Sequence, residues 1–286
     1  MEDIHCTDGI YSLHDSSFTR AAVRGMLASG SDPLGYPCAT NLPSLEEFIG
    51  DGLHAGYLYT VDGPAGMGKT AFLLSVLHTL SIVAGHPVIY FSLQHSIDEL
   101  IRRILVILEG RDILQCFENG YEPTENDRRK LREGVSFIED SSIYLADGAS
   151  CISMRDFISN IYRLRDEIHP ELIMIDGLDR YVQDRNEDNS AALLTEHIRN
   201  IGIPLIATCG VKKTVECRRD YKPEPDDFLW YDLVHESDVV FDLFRPSYYK
   251  KNANGDIADI RIIKNSFGQT GVAHIHYDGK RMFWQE

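Results

Sequence analysis

The sequence predicts an α/β fold in which a central, mostly parallel sheet is flanked by helices and followed by a C-terminal antiparallel hairpin extension. Segments with strand and helix patterns alternate from Gly56 onward, as they do in α/β proteins. Two short runs, Leu172–Asp176 and Ile203–Thr208, are largely apolar on both faces, which is typical of central parallel strands. Later segments alternate apolar and polar residues around turn residues such as Asp278 and Gly279, which indicates antiparallel hairpins.

The first part of the core is predicted from a strand and a helix that follow one another closely. Tyr57–Val61 is rich in β-branched and aromatic residues, as strands are. Ala71–Ala84 is apolar almost all round and stops at Gly85, which indicates a buried helix. A strand at Val88–Leu93 comes next, and then a helix that opens with the capping box Ser96–Glu99.

The same alternation predicts the remaining elements. The core continues with a helix at Glu125–Ile138, a strand at Ser142–Leu145, a helix at Ser153–Ile168, the strand Leu172–Asp176, a helix at Ser190–Asn200 and the strand Ile203–Thr208. The extension consists of strands at Val239–Leu243, Ile257–Lys264, Val272–Tyr277 and Met282–Trp284.

The chain is predicted to divide into an N-terminal arm or linker, residues 1–40, and one α/β domain, residues 41–286. The first part is punctuated by Ser, Gly and Pro and contains one short helical stretch, Ser17–Ala28. That stretch is too small to bury a core of its own. Its apolar face is formed by Phe18, Ala22 and Met26.

Composition points to a soluble protein of the cytoplasm. With 286 residues and 43% hydrophobic content, the chain is long enough for one large core. A net charge of −16 argues against a broadly nucleic-acid-binding surface. The six cysteines form no C-x-x-C pair, which suits a reducing compartment and indicates neither a zinc site nor a disulfide framework. No apolar run approaches membrane-spanning length, so no membrane partner is expected.

Residues Gly63–Thr70 match every fixed position of a G-x-x-x-x-G-K-[ST] phosphate-binding loop. Its glycines let backbone N–H groups turn inward around a polyphosphate. Lys69 would bring a charge to the β- and γ-phosphates, and the Thr70 hydroxyl would ligate the bridging Mg²⁺. Because a helix is predicted to begin at the loop, the sequence predicts nucleoside triphosphate binding there. The expected binding residues are Gly63, Pro64, Ala65, Gly66, Met67, Gly68, Lys69, Thr70 and Ala71.

Asp176 is the second predicted metal-facing residue. It ends an apolar strand and precedes Gly177, which is the Walker B arrangement. The carboxyl ends of parallel strands are where ligands bind in open α/β sheets. We therefore expect Asp176 to hold the water shell of Mg²⁺ opposite Thr70. An ordinary aspartate at the start of a loop is the alternative.

Six segments follow one another in an order that narrows the family. They are Gly66–Phe72, Phe91–Ser96, Met174–Asp176, Ile203–Ala207, Glu236–Val240 and Ile263–Asn265. In this order the chain resembles the motor domain of DnaB-type replicative helicases, which belong to the RecA-like class of P-loop NTPases. The phosphate loop alone is shared by many families, whereas the pattern of the Phe91–Ser96 segment is specific to far fewer of them. The resemblance extends from about Asn41 to the C-terminus.

The resemblance implies a RecA-like fold and an ATP-driven hexamer, with the nucleotide between neighbouring subunits and single-stranded DNA in the central channel. It implies that Lys69 and Asp176 act on ATP and Mg²⁺. The catalytic position of the family falls at Gln94, and Lys264 matches a lysine offered to the neighbour's γ-phosphate. The arm helix Ser17–Ala28 is expected to pack on a neighbouring subunit.

Gln94 departs from the family pattern, which has a catalytic glutamate at this position. A neutral glutamine orients water by hydrogen bonding but is no base near neutral pH. General-base help is worth about 10²–10⁴-fold, so we expect slow hydrolysis. His95 is a possible substitute base, although neighbouring strand residues face opposite sides and this argues against it.

Two further positions also depart from the family. Ser266 stands where an arginine is expected two residues after Lys264, and an arginine finger is worth about 10³–10⁵ in rate. Cys209 and Gly210 stand where the family has a glutamine. Lys264 is then either a nucleotide sensor or a solvated hairpin lysine. Together the departures predict retained nucleotide binding and impaired hydrolysis.

The loop after the Ile203–Thr208 strand is the candidate contact for single-stranded DNA. Its five cations stand against two acids, a net charge of +3, and clustered cations are what phosphate neutralisation requires. A solvated charged surface is the alternative, because the segment Glu224–Asp238 and the loop 184–188 are acidic. The candidate residues are Lys212, Lys213, Arg218, Arg219 and Lys222.

Competing functions remain open at this point. The first is a nucleotide-switched assembly protein that binds ATP and Mg²⁺, forms a ring or filament, recruits an unknown protein partner and hydrolyses slowly. The second is an active ATP-dependent DNA helicase or translocase on single-stranded DNA. A recombination- or clock-type RecA-like ATPase is a third, which the Phe91–Ser96 segment disfavours.

Overall fold

A computed structural model describes residues 6–7, 10–12, 38–50, 52–148, 153–180, 190–249 and 257–286. The expected arm helix Ser17–Ala28 and the acidic loop 184–188 lie outside these described residues. None of the described helices is long and apolar enough to cross a membrane. The division of the chain at residue 40 stays a prediction.

The described residues contain one eleven-stranded sheet, in the order β1-β2-β5-β4-β6-β7-β3-β8-β9-β10-β11. The strands are β1 (Cys6–Thr7), β2 (Ile10–Ser12), β3 (Leu58–Asp62), β4 (Val88–Ser92), β5 (Ile143–Asp147), β6 (Leu172–Asp176), β7 (Leu205–Thr208), β8 (Val239–Phe244), β9 (Ile257–Asn265), β10 (Gly271–Asp278) and β11 (Phe283–Gln285). The six strands from β5 across to β8 pair in parallel, and the pairs beyond them are antiparallel. The predicted parallel core and antiparallel extension are confirmed.

Helices cover both faces of this sheet. They are α1 (Pro43–Ile49), α2 (Lys69–Leu77), α3 (Ile97–Glu109), α4 (Glu125–Glu139), α5 (Met154–Ile168), α6 (Ser190–Ile201), α7 (Tyr231–Glu236) and α8 (Pro246–Tyr249). The expected helix Ala71–Ala84 is α-helical only as far as Leu77, because a π-helical segment, His78–Val83, follows. Single 3₁₀ segments lie at Arg111–Phe117, Lys213–Cys217 and Pro225–Asp227.

The strands β3, β4, β6 and β7 are buried along their whole length, and they separate two apolar cores. Helices α2 and α3 pack on one face, and helices α5 and α6 pack on the other. Apolar side chains on both faces of these strands leave water together, which is the main favourable contribution to folding.

Three of the short helices were not predicted. The helices α1, α7 and α8 have 7, 6 and 4 residues, too few for a 3.6-residue apolar period to register. The helix α7 begins within the acidic segment Glu224–Asp238, where Leu233 is fully buried. Burial of a few apolar side chains there outweighs the charge pattern that indicated a solvated surface.

The C-terminal extension folds back onto α2 through Trp284, which is 1% exposed. The indole ring packs edge-on against Phe72 and Tyr277, with ring centroids 6.0 and 5.2 Å away. Its backbone N–H donates to Ser75 Oγ at 2.9 Å, and its Nε1–H donates to Gly68 O at 3.2 Å. Strand β11 therefore supports the first turns of α2 from behind.

We predict that Trp284→Ala lowers the free energy of unfolding by about 3–5 kcal/mol, because a large buried ring is lost and leaves a cavity. Chemical denaturation measures this change. The matched control is Phe137→Ala, since Phe137 is 55% exposed and its loss is expected to cost no more than about 0.5 kcal/mol. Equal effects of the two substitutions would contradict the supporting role of β11.

Candidate nucleotide-binding site

The loop Gly63–Gly68 connects the end of β3 to the start of α2 in a conformation that requires glycine. Gly63, Gly66 and Gly68 have φ values of 140°, 79° and 98°. A Cβ on Gly63 would lie 2.8 Å from Leu243 O, so the loop also needs glycine for space. Gly68 precedes α2 without a side-chain cap, so the first N–H groups of the helix remain available for an anion.

Lys69 spans this loop from the first residue of α2. Its Nζ donates to Gly63 O at 2.6 Å and to Pro64 O at 3.3 Å. Burial lowers the pKa of the Lys69 ammonium, while Asp179 and Asp62 nearby oppose that shift. The ammonium is therefore held at the loop by carbonyl oxygens, and phosphate oxygens would be stronger acceptors for it.

Asp176 lies at the end of β6, and three buried hydroxyl groups donate to its carboxylate. Thr70 Oγ1 and Tyr90 Oη reach Oδ2 at 2.9 and 3.0 Å, and Thr208 Oγ1 reaches Oδ1 at 2.7 Å. The predicted approach of Thr70 to Asp176 is thus present in the structure. Sequence reasoning missed Tyr90 and Thr208, whose role follows from the positions of β4 and β7 on either side of β6.

The oxygen donors of Thr70 and Asp176 suit Mg²⁺, which prefers hard oxygen ligands. Among the described residues, no group of three or more His, Cys, Asp or Glu side chains is arranged to hold a metal ion. A cation at Thr70 and Asp176 therefore requires further ligands, such as the oxygens of a bound polyphosphate or of water. That requirement fits a metal that arrives with its nucleotide.

A second pair of carboxylates lies behind Lys69, and no sequence motif indicated it. Asp62 and Asp242 are register partners on β3 and β8, and both are 0% exposed. Within the described part of the chain, neither carboxylate oxygen of Asp62 has a hydrogen-bond partner, whereas Asp242 pairs with Arg261 at 2.7 Å. Burial and the neighbouring Asp242 raise the pKa of Asp62 well above its usual value. Burial raises the pKa of Asp242 to about 7, although Arg261 opposes that shift.

Gln94 lies beside the Walker B residue, as expected. A Cβ placed on Gly177 would lie only 3.1 Å from Gln94 Cβ, so the glutamine packs directly over the residue after Asp176. Gly210 stands near the end of β7, where the family has a glutamine. In this chain the Gly210 backbone N–H donates to Asp179 instead. Both positions therefore lie at the site, and neither carries a basic side chain.

The argument from strand alternation against His95 was wrong, because β4 ends at Ser92. Ser92 Oγ accepts from His95 N at 3.0 Å and donates to His95 O at 2.6 Å, which closes a tight turn. This turn directs His95 Nε2 to within 3.5 Å of Thr70 Oγ1, while His95 Nδ1 lies 3.0 Å from Glu99 Oε1. The expected capping box is therefore only half formed: Ser96 Oγ accepts from Glu99 N, but the Glu99 carboxylate faces His95 and Arg103.

Lys264 lies far from the phosphate loop of its own chain. Its register partner is Val240, near the start of β8, whereas the loop follows the end of the parallel neighbour β3. Lys264 Nζ donates to His235 O near the end of α7, and burial lowers the pKa of Lys264. The neighbouring Ser266 N donates to Asp238 O at 2.9 Å. Lys264 is therefore half-buried and directed towards His235, and its register places it away from the loop of its own chain.

The basic loop folds against the acidic segment that follows it. The contacts are Lys212 Nζ to Asp226 O at 2.6 Å, Arg218 to Asp227 at 2.8 Å and to Glu224 at 3.2 Å, and Lys222 Nζ above the Phe244 ring at 5.4 Å. Lys213 and Arg219 are exposed. Three of the five candidate DNA contacts are therefore already engaged within the chain, which reduces the charge available for a phosphate backbone.

Comparison with known proteins decides the family. The family described as "DnaB-like helicase C terminal domain" matches residues 38–286. The chain belongs to this DnaB-like family. The resemblance inferred from the ordered segments is thereby confirmed.

Two relatives in the DnaB-like family are similar to this chain along most of its length. The replicative DNA helicase DnaB of Geobacillus stearothermophilus is 28% identical over 236 residues, covering 79% of this chain and 51% of the relative. The replicative DNA helicase DnaC of Bacillus subtilis is 28% identical over 242 residues, covering 79% of this chain and 52% of the relative. The chain thus spans about half the length of these relatives.

Two solved structures have the same fold as this chain. One is an ATPase domain with a TM-score of 0.78 at 21% identity, covering 95% of this chain and 99% of that one. The other is a DnaB-like replicative helicase, studied with its interactions with primase, with a TM-score of 0.76 at 21% identity, covering 95% and 68%. At this identity the likeness shows the fold, and it confirms the predicted RecA-like architecture.

We predict that the stability of the protein falls as the pH rises from about 5 to about 7.5 and that Asp62→Asn reduces this fall. In this range the folded state keeps protons on the Asp62–Asp242 pair that the unfolded chain, with carboxyl pKa values near 4, has lost. Since the unfolded state then binds fewer protons, the free energy of unfolding decreases as the pH rises. The expected reduction exceeds about 1.4 kcal/mol, the equivalent of one pKa unit.

Urea denaturation at several pH values measures this effect in both proteins. Asp112→Asn is the matched control, because Asp112 is exposed and makes the same charge change away from the site. An identical pH dependence for wild type and Asp62→Asn would contradict the prediction.

Proposed function

We propose that this DnaB-like chain binds ATP with Mg²⁺, self-associates and hydrolyses ATP slowly. One contrast at the site supports this function. The phosphate loop, Lys69 and the Thr70–Asp176 hydrogen bond of 2.9 Å are all in place for binding. Gln94, which packs over Gly177, offers an amide where hydrolysis needs a base.

Binding would use groups that already point at the loop. The Lys69 ammonium would exchange neutral carbonyl acceptors for charged phosphate oxygens, and charge-assisted hydrogen bonds are about twice as strong as neutral ones. The Thr70 hydroxyl donates its single hydrogen to Asp176, which leaves its lone pairs for a cation. Mg²⁺ supplies neutralisation of phosphate charge when it is bound.

Slow hydrolysis is proposed from three positions that lack a general base or a charge for the transition state. Gln94 orients water without accepting its proton, Gly210 has no side chain, and Ser266 carries no charge. An arginine finger raises the rate of hydrolysis by about 10³–10⁵-fold, so its replacement by Ser266 alone is expected to lower the rate by that factor. The site is therefore better suited to holding a nucleotide than to consuming it.

Self-association is proposed from the position of Lys264. This lysine is in register with Val240 and through it with Thr60 in the middle of β3, whereas its own phosphate loop follows the end of that strand. We propose that it meets the nucleotide of a neighbouring copy. We propose a ring, with a hexamer as the simplest form, or a filament, to which residues 1–40 contribute an arm. One structural neighbour was solved with its interactions with primase, which supports a protein partner for this chain as well.

An active DNA helicase or translocase is the second candidate. The exposed Lys213 and Arg219 favour it, because they remain turned to solvent on the expected DNA-contact loop. Their neighbours Lys212 and Arg218 are engaged internally, so single-stranded DNA would be held weakly.

We predict that Gln94→Glu raises steady-state phosphate release by about 10²-fold or more, because it restores a general base beside Asp176. The measurement compares both proteins with and without single-stranded DNA. Gln115→Glu adds the same charge at an exposed position and is expected to change nothing. No gain in Gln94→Glu would contradict the role given to Gln94 as the replaced base, and fast wild-type turnover with DNA would favour the helicase.

We predict that a non-hydrolysable ATP analogue with Mg²⁺ increases the molar mass of the protein, because the nucleotide completes the contact between copies. Light scattering coupled to size exclusion measures this mass. Lys69→Ala removes the charge that binds phosphate and is expected to stay at its starting mass, whereas Lys280→Ala, at an exposed position, is expected to assemble normally. A monomer that does not change with nucleotide would refute self-association by this route.

A further inference from the structure

His95 lies beside the proposed metal site, and no motif in the sequence places it there. Its Nε2 is 3.5 Å from Thr70 Oγ1, and its side chain is only 15% exposed. Its Nδ1 is 3.0 Å from Glu99 Oε1, one turn further along the chain. The imidazole therefore has one nitrogen fixed by a carboxylate and the other turned towards the expected Mg²⁺ ligand.

The hydrogen-bond partners of Thr70 and His95 indicate which atom carries each hydrogen. Thr70 donates its only hydroxyl hydrogen to Asp176 Oδ2 at 2.9 Å. Glu99 also pairs with the Arg103 guanidinium at 2.7 Å, which is the geometry of an ionised carboxylate. An ionised carboxylate only accepts, so Nδ1 of His95 must carry the hydrogen that faces it.

In the neutral tautomer that carries its hydrogen on Nδ1, Nε2 of His95 presents a lone pair. This lone pair faces Thr70 Oγ1, whose hydrogen points elsewhere, towards Asp176. Two lone pairs that face each other at 3.5 Å repel unless a cation or a donor lies between them. Neighbouring ligands on one octahedral cation with bonds of about 2.1 Å are about 3 Å apart, so little adjustment is needed.

We infer that His95 Nε2 is a ligand of the divalent cation that binds with the nucleotide. The inference rests on the proposed nucleotide site and adds a nitrogen to its oxygen ligands. Imidazole favours first-row transition cations over Mg²⁺, so the site prefers a cation such as Co²⁺ in comparison with an all-oxygen site.

The contact with Glu99 suits a histidine that ligates a metal through its other nitrogen. A ligating histidine commonly donates its other ring N–H to a carboxylate, which fixes the ring and strengthens the ligand, and Glu99 is in that position. Asp176 already accepts three hydrogen bonds, from Thr70, Tyr90 and Thr208. In this proposal it holds the cation through water and leaves the inner positions to Thr70, His95 and phosphate oxygens.

The test measures binding of a fluorescent, non-hydrolysable ATP analogue while Mg²⁺ or Co²⁺ is titrated. Wild type is expected to prefer Co²⁺ over Mg²⁺ by at least about tenfold more than His95→Ala does. His86→Ala is the matched control, because His86 also pairs through Nδ1 with a glutamate, Glu171, at 2.6 Å, but at the opposite edge of the sheet. It is expected to keep the wild-type preference.

A spectroscopic measurement on the wild-type protein tests the inference even if His95→Ala fails to fold. Pulsed electron paramagnetic resonance of the Mn²⁺–analogue complex detects a directly bound imidazole nitrogen. A nitrogen signal that is present in wild type and in His86→Ala, and lost in His95→Ala, supports the inference. Its absence in wild type, or equal cation preference in all three proteins, would overturn the inference and indicate that a protonated His95 donates to Thr70. Failure of the analogue to bind with any cation would overturn the proposed function instead.

Discussion

The hydrogen bond between Thr70 and Asp176 joins the start of helix α2 to the centre of the sheet, and the rest of the site is arranged around it. Its 2.9 Å length requires β6 to lie close to the helix that follows β3, which the parallel order β4-β6-β7-β3 provides. The bond is fully buried, and a buried charged acceptor that lost its donors would cost about 1–3 kcal/mol or more. The phosphate loop on one side and the Ser92–His95 turn on the other are positioned by the elements that this bond connects.

The buried carboxylates Asp176 and Asp62 both lie near Lys69, but they differ in their hydrogen-bond partners. Asp176 receives three hydroxyl hydrogens, so its charge is stabilised without a cation. Asp62 receives none from the residues that the structure describes, and burial beside Asp242 raises its pKa. An unpaired buried charge is very costly, so the protein keeps a proton there or depends on Lys69. The Asp176 carboxylate is thus stabilised by hydroxyl donors, whereas the pKa of Asp62 depends on the charges of Asp242 and Lys69.

Sequence patterns anticipated those parts of the structure that are determined locally. The spacing from Gly63 to Thr70 and the apolar runs of the central strands needed no knowledge of distant residues. Tyr90 and Thr208 were missed because their contact with Asp176 depends on strand order and register, which no local pattern encodes. His95 was misjudged because strand β4 stops at Ser92, and strand ends are the least certain part of such predictions.

The hydrogen bond from Trp284 to Gly68 joins residues that are 216 positions apart along the chain. At about 5–20 residues per second, a ribosome needs roughly 10–40 s to make the stretch between them. During that interval β11 does not yet exist, so the hydrogen bond between Trp284 and Gly68 cannot form. The support that β11 gives to the start of α2 is therefore established only after the whole stretch between them has been synthesised.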